Sequence, residues 1–209
     1  MHKTSMFLVI LIIVSAAVIC GCTAGRERQV NPMAAPQRVL VAAFSDASSY
    51  SYGRTRYDAS VFLEQALSRT GQVTVIPRQE WQAKIDPTTH DDAIGIGKTM
   101  GADVVIIGMI VDFHVDHEYN PDAPLLSQRH EYNVVTHVRA DVIEVADAQL
   151  LSTEKATGTA EKRTMRFFRE GPISVDAVRE RPLLNEALRD AARQLAYDIV
   201  HQLHVSAKP

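Results

Sequence analysis

Beyond residue 22 this 209-residue chain contains no cysteine. Its only two, Cys20 and Cys22, stand near the start, so no disulfide framework can brace what folds downstream and an apolar core must supply the stability. Runs of one charge sign are missing as well. The 22 basic and 25 acidic residues are interspersed, which is the ordinary surface of a folded domain and lacks the basic footprint of a nucleic-acid binder. Internal repeats and low-complexity tracts are absent, and so is the G-x-S-x-G elbow of a hydrolase. Gly95, Ile96, Gly97, Lys98 and Thr99 end like a phosphate-binding loop. The glycine that loop needs five positions before Gly97 is Asp92, which would face a phosphate, and no strand leads into the segment. Gly97 reads instead as a place where a helix packs closely.

What is present begins with Lys3 and an apolar run, residues 6–20, free of charge and proline, the pattern of a signal peptide. The run is shorter than the roughly 20 residues of a membrane-spanning helix, and the small residues Ser15, Ala16, Ala17 and Gly21 crowd its end. Ile19, Cys20, Gly21 and Cys22 resemble the bacterial lipobox, in which a branched and a small residue precede the cysteine that is acylated and then exposed by cleavage. Cys22 fits; Cys20 does not, because Ile19 before it is too bulky. The expected organisation is a signal peptide at 1–21, a lipidated tether at 22–37 and a periplasmic domain at 38–205. Removing Lys3 from the 22 basic residues leaves 21 against 25 acidic ones. Thr23 after the acceptor, where aspartate marks inner-membrane retention, implies the outer membrane, and the acyl chains, at about 0.8 kcal/mol per buried CH₂, make attachment durable. The tether spans at most about 50 Å when fully extended.

Val39 to Phe44 is a continuous apolar run, as in a strand buried on both faces. Ala59, Phe62, Leu63, Ala66 and Leu67 mark one face of a helix that Gly71 ends. Val73 to Ile76 reads as a strand, with Pro77 opening a helix that carries Trp81 and Ile85. Asp91 or Asp92 can cap a helix bearing Ile94 and Met100, closed by Gly101 before a strand from Val104 to Val111. Val134 to Val145 and Leu150 to Ala160 form a hairpin, and Leu184, Ala187, Leu188, Ala191, Leu195, Ile199 and Leu203 a long amphipathic helix. The expected fold is α/β: a mixed sheet flanked by helices, with a C-terminal β-hairpin and a long closing helix.

That order, with Val39 to Phe44, the helix end at Ser68, Arg69, Thr70 and Gly71, the strand running into Pro77 and Arg78, and above all Gly97-Lys98-Thr99-Met100-Gly101-Ala102-Asp103 before Val104, resembles the CsgG-like superfamily of envelope lipoproteins. The resemblance implies a CsgG/PelC-like fold, no enzymatic activity, no cofactor, and homo-oligomerisation or docking to another envelope protein. Three family roles are open to it: a PelC-like accessory of exopolysaccharide export, an LpoB-like activator of a periplasmic cell-wall synthase, and a curli-type secretion component. The last needs membrane strands of roughly 9 to 11 alternating residues. Residues 112–132 carry Asp112, His114, Asp116, His117, Glu118, Asp122, Arg129, His130 and Glu131, and residues 162–181 carry Arg163, Arg169 and Glu170. A charge at mid-membrane costs about 2 to 4 kcal/mol, so neither segment suits a self-made pore.

The PelC-like role fits better: an oligomer at the periplasmic face of the outer membrane, beside an export barrel, guiding a cationic polysaccharide. Phe167 and Phe168, with Met165 and the arginines at 163, 166 and 169, are the candidate membrane contacts. Asp112, Asp116 and Glu118 are the candidate polymer-facing acids. His114, Asp116, His117, Glu118, His130 and His137 are of metal-ligand type. On a strand, however, His114 and His117 alternate between faces, so a solvated rim is expected and no metal site is assigned. The lipobox reading makes a sharp prediction: Cys22→Ala abolishes fatty-acid labelling and moves the chain from the membrane fraction to the soluble one. Retention of label after that substitution would contradict it.

Overall fold

The computed structural model describes residues 36–48, 55–81, 89–123, 127–167 and 177–206. In chain order these form β1 (Arg38–Val41), β2 (Ser45–Asp46), α1 (Thr55–Thr70), β3 (Thr74–Val75), a 3₁₀ turn (Arg78–Glu80), α2 (His90–Met100), β4 (Val104–Ala123), β5 (Ser127–Glu144), β6 (Gln149–Phe167) and α3 (Ala177–Ser206). They make one mixed sheet ordered β3-β1-β4-β5-β6, with β2 also on β4. β3, β1 and β4 run parallel, β2 lies parallel to β4, and β4, β5 and β6 form an antiparallel meander. The fold class read from the sequence is the one observed.

Around β1 the sheet is covered on both faces, which is why that strand is apolar from Val39 onward. Val39 and Val41 meet Leu63 and Leu67 of α1 and Leu184, Leu188 and Leu195 of α3 in the larger core. Leu40 and Ala42 point the other way, to Trp81, Ala93 and Val105 beneath α2. Each fully buried leucine contributes about 1.5–3 kcal/mol. Glycines set how near the helices come. A Cβ on Gly97 would stand 2.5 Å from Val105 Cγ2, so α2 lies directly against the sheet. A Cβ on Gly158 would fall 1.8 Å from the Ala187 carbonyl oxygen, so the α3 backbone rests on β6. Gly71 and Gly101 end α1 and α2 at φ of 65° and 63°, where a Cβ is strained.

Several boundaries differ from the sequence reading. The cap of α2 is Thr89, whose hydroxyl oxygen accepts the Asp92 amide at 3.2 Å and donates to the Asp92 carboxylate at 2.8 Å. Pro77 opens only a single 3₁₀ turn, and Ile85 lies outside the described residues. Ser45–Asp46, for which the sequence showed no strand signal, pairs with Met109 and Ile110 as β2.

The largest correction concerns the segment read as a solvated rim. Residues 112–123 and 127–133 continue β4 and β5, and residues 161–167 continue β6. Together they make a three-stranded ribbon beyond the last pairings of β1 and β2 on β4, at Ile106 and Ile110. Charged side chains hid the strands because only alternate residues face the core.

A bulge sets which residues those are. Val104, Ile106 and Ile110 face the larger core, but the β4–β5 register shifts between Ile110 and Asp112, leaving Val111 43% exposed. Odd residues therefore turn inward beyond it, Phe113 buried and Val115 packed on the core, while Asp112, His114, Asp116 and Glu118 turn to solvent. The bulge is tied down by two bonds just beyond it: the Thr136 hydroxyl, fully buried, donates to the Asp112 carbonyl at 3.2 Å, and the Phe113 amide donates to the Asp112 carboxylate at 2.8 Å.

The contact at Gly158 predicts that Gly158→Ala, which must push back helix backbone rather than a side chain, destabilises the fold by about 2–3 kcal/mol. The urea midpoint measures this, and an unchanged midpoint would mean that α3 does not sit where described.

Candidate functional site

The bulge collects on one face the three acids singled out from the sequence. Across the ribbon, Asp112 lies opposite His137 and then Thr157, and His114 opposite Val135 and then Thr159. Asp116 follows, opposite Asn133 and Glu161, and Glu118 opposite Glu131 and Arg163. Paired residues of antiparallel strands share a face, so these four rows place on one side five carboxylates, those of Asp112, Asp116, Glu118, Glu131 and Glu161, and the guanidinium of Arg163, while Arg129 pairs in the next row, with Asn120 and Met165. Glu131, Glu161 and Arg163 were not among the candidate acids or their partners. Their contribution depends on register, which the sequence does not spell out.

Local pairing neutralises only part of this charge. Arg163 bonds Glu131 at 3.2 Å and also Glu161, and the two carboxylates hold its guanidinium above its ordinary pKa, Glu131 most. His114 Nε2 lies 2.8 Å from Asp116, and His137 Nδ1 2.9 Å from the Thr157 hydroxyl. Asp116 is nevertheless 55% exposed, and Asp112 and Glu118 are exposed too. Like charges directly opposed, as at Glu118 and Glu131, weaken a pairing. Chemically the face is an open, negatively charged plane that can attract and slide past cations.

Phe167 ends β6, opposite Ser127, while Phe168 and Cys22 lie outside the described residues. Among the described residues no three His, Cys, Asp or Glu side chains gather to hold a metal ion, and no helix is long and apolar enough to cross a membrane.

A second polar cluster went unread in the sequence. Arg78, only 5% exposed, pairs with Glu64 of α1 at 2.7 Å and donates to the Val41 carbonyl at 3.4 Å. Its guanidinium lies 5.2 Å from the ring centres of both Tyr57 and Trp81, so it packs as well as pairs. Burial pushes the Glu64 carboxyl above its ordinary value of 4.5, and the hydrogen bond and charge of Arg78 pull it partly back. The pair forms the floor of a surface groove of about 510 Å³ between α1 and β3.

No protein-family model matches the chain, and no curated protein does. Among solved structures it is similar to the C-terminal domain of LpoB from Salmonella enterica, at 17% identity over 62% of this chain and 87% of that one, with a TM-score of 0.44. It is similar also to the PelC dodecamer from Paraburkholderia phytofirmans, at 13% identity over 78% and 87% of the two chains and a TM-score of 0.39. Lipoprotein GNA1162 from Neisseria meningitidis is 11% identical over 81% and 99%, with a TM-score of 0.41. These are likenesses of fold.

The Glu64–Arg78 pair carries a prediction with a defined sign. Arg78→Leu removes both influences that lower the Glu64 pKa and leaves burial, so the Glu64 carboxyl titrates at still higher pH. An acid whose pKa is raised by folding favours the fold below pH 4.5 and loses that contribution as pH rises through the folded value. The variant therefore loses about 3 kcal/mol at pH 7 and less at pH 4. Carboxyl NMR titration and urea midpoints at the two pH values measure it; an equal loss at both would contradict this electrostatic account.

Proposed function

We propose that this chain is a non-enzymatic, lipid-anchored protein of the outer membrane's periplasmic face, which oligomerises as an accessory in the export or assembly of a surface polymer, a PelC-like role in exopolysaccharide secretion. The observation that carries the reading is the acidic face of the ribbon, where the four rows from Asp112 to Glu118 hold five carboxylates and the guanidinium of Arg163, with Asp112, Asp116 and Glu118 exposed. Asp116 and Glu118 lie about 7 Å apart along the strand. That is within the roughly 8 Å Debye length at physiological salt, so their fields add. A ring of copies multiplies the field and draws a cationic polymer along it. Cys22 holds the protein at the membrane, and Phe167 and Phe168 dip into the headgroup layer.

Asp112→Asn/Asp116→Asn/Glu118→Gln tests the reading while keeping oxygen acceptors, including the one that the Phe113 amide uses. Calorimetric titration of the full-length chain with a chitosan oligosaccharide, a cationic sugar polymer, is expected to show binding that weakens with salt. The triple variant should lose about tenfold in affinity, about 1.4 kcal/mol, at unchanged oligomer mass by light scattering. Equal binding by wild type and variant, or no binding by either, would count against it; a persistent monomer would favour the LpoB-like alternative.

A further inference from the structure

The two edges of the sheet are finished differently. On β6, α3 reaches over to the backbone: the Gln194 amide donates to the Thr157 carbonyl at 3.0 Å, and the Thr159 amide donates to the Asp190 carboxylate at 3.4 Å. Gln194 also bonds Asp190, at 3.2 Å, so the two side chains form one cap. A strand cannot add where those groups are already taken. On β3, at the opposite edge, the described residues provide no such cap. The Thr74 amide donates to the Gln37 carbonyl just before β1, and the Ile76 amide to the Val39 carbonyl on β1. Backbone direction alternates along a strand, so the N–H and C=O of Val75 between them face the open side.

The groove of about 510 Å³ runs along this open edge, with Val61, Gln65, Ser68 and Arg69 of α1 on one wall and Val75 and Pro77 on the other. Its volume lies within the roughly 300–1,000 Å³ typical of ligand sites. An edge strand facing a helix across a groove is a construction that receives extended chain, main-chain bonds giving affinity and alternate side chains giving selectivity. The charges on the groove indicate which chain. Arg78 is matched by Glu64, whereas Arg69, exposed at the end of α1, has no ion-pair partner among the described residues.

We infer that α1 and β3 form a docking groove for an extended acidic peptide segment of a partner protein, which adds to the sheet beside Val75 and places a carboxylate against Arg69. This surface is independent of the acidic ribbon face, which β4, β5 and β6 carry. The full-length chain in detergent micelles, panned against a phage-displayed library of random decapeptides, should enrich acidic, proline-poor sequences. The synthesised peptides should bind by fluorescence anisotropy and slow amide exchange at residues 73–75.

Val75→Pro removes the outward N–H and leaves the Thr74 and Ile76 amides for β1; Arg69→Glu reverses the charge on an exposed helix surface and keeps the test valid if the proline disturbs folding. Each should weaken binding at least about tenfold, a loss of about 1.4 kcal/mol. The proposal is overturned if nothing is enriched, if basic peptides are, if both variants bind as wild type does, or if slowed exchange maps to β6 or to residues 112–118.

Discussion

One extra residue in β4 sets the character of the whole ribbon. With side chains alternating every residue, the insertion at Val111 exchanges the faces of everything beyond it. Continued without a bulge, the strand would aim Asp112, His114, Asp116 and Glu118 at the core occupied by Val134 and Val138, where an unpaired carboxylate costs several kcal/mol. The buried Thr136 hydroxyl and the Asp112 carboxylate, bonded to the backbone of Asp112 and Phe113 just beyond the shift, hold it in place. Asp112 thus serves the fold as well as the surface.

The remainder of the molecule supports this meander from both sides. α1 and α3 close one face over leucines and alanines, and Gly158 brings α3 near enough for Asp190 and Gln194 to reach over the β6 edge. On the other face α2 presses Gly97 against Val105 and Val145. Asp141 of β5 ties that strand to β6 by accepting from the Thr153 hydroxyl at 2.7 Å, and also accepts from Arg139 on its own strand at 2.9 Å, with His90 at the start of α2 3.8 Å away. Behind the first rows of the acidic face, Phe113, Val115 and Val134 pack into the larger core.

What was legible in advance followed local rules. The apolar run at Val39, the helical spacing of Leu63 and Leu67, and the glycines at 71, 97 and 101 each gave away a strand, a helix face, a helix end or a close contact, because those signals depend on residues within a turn or two. The cap at Thr89 was missed because the acids after it suit a first helical turn as well as a cap. Residues 112–132 were missed because strand propensity depends on what pairs alongside, and a charged alternate row looks like a loop until its partners are known. The Glu64–Arg78 pair joins residues fourteen apart on different elements, and no spacing rule connects them.

By itself the amino-acid sequence determined the order of elements, the apolar faces that must be buried, and the presence of Cys22 in a lipobox-like setting, all of them properties of short stretches of chain. Tertiary structure alone decided the register of β4 on β5 and β6, and with it the gathering of Asp116, Glu118, Glu131 and Glu161 on one exposed face. It also decided that α3 caps the β6 edge of the sheet. Strand pairing is a non-local choice, settled by the packing of the opposite face, so the position of each surface charge follows from the burial of residues elsewhere in the chain.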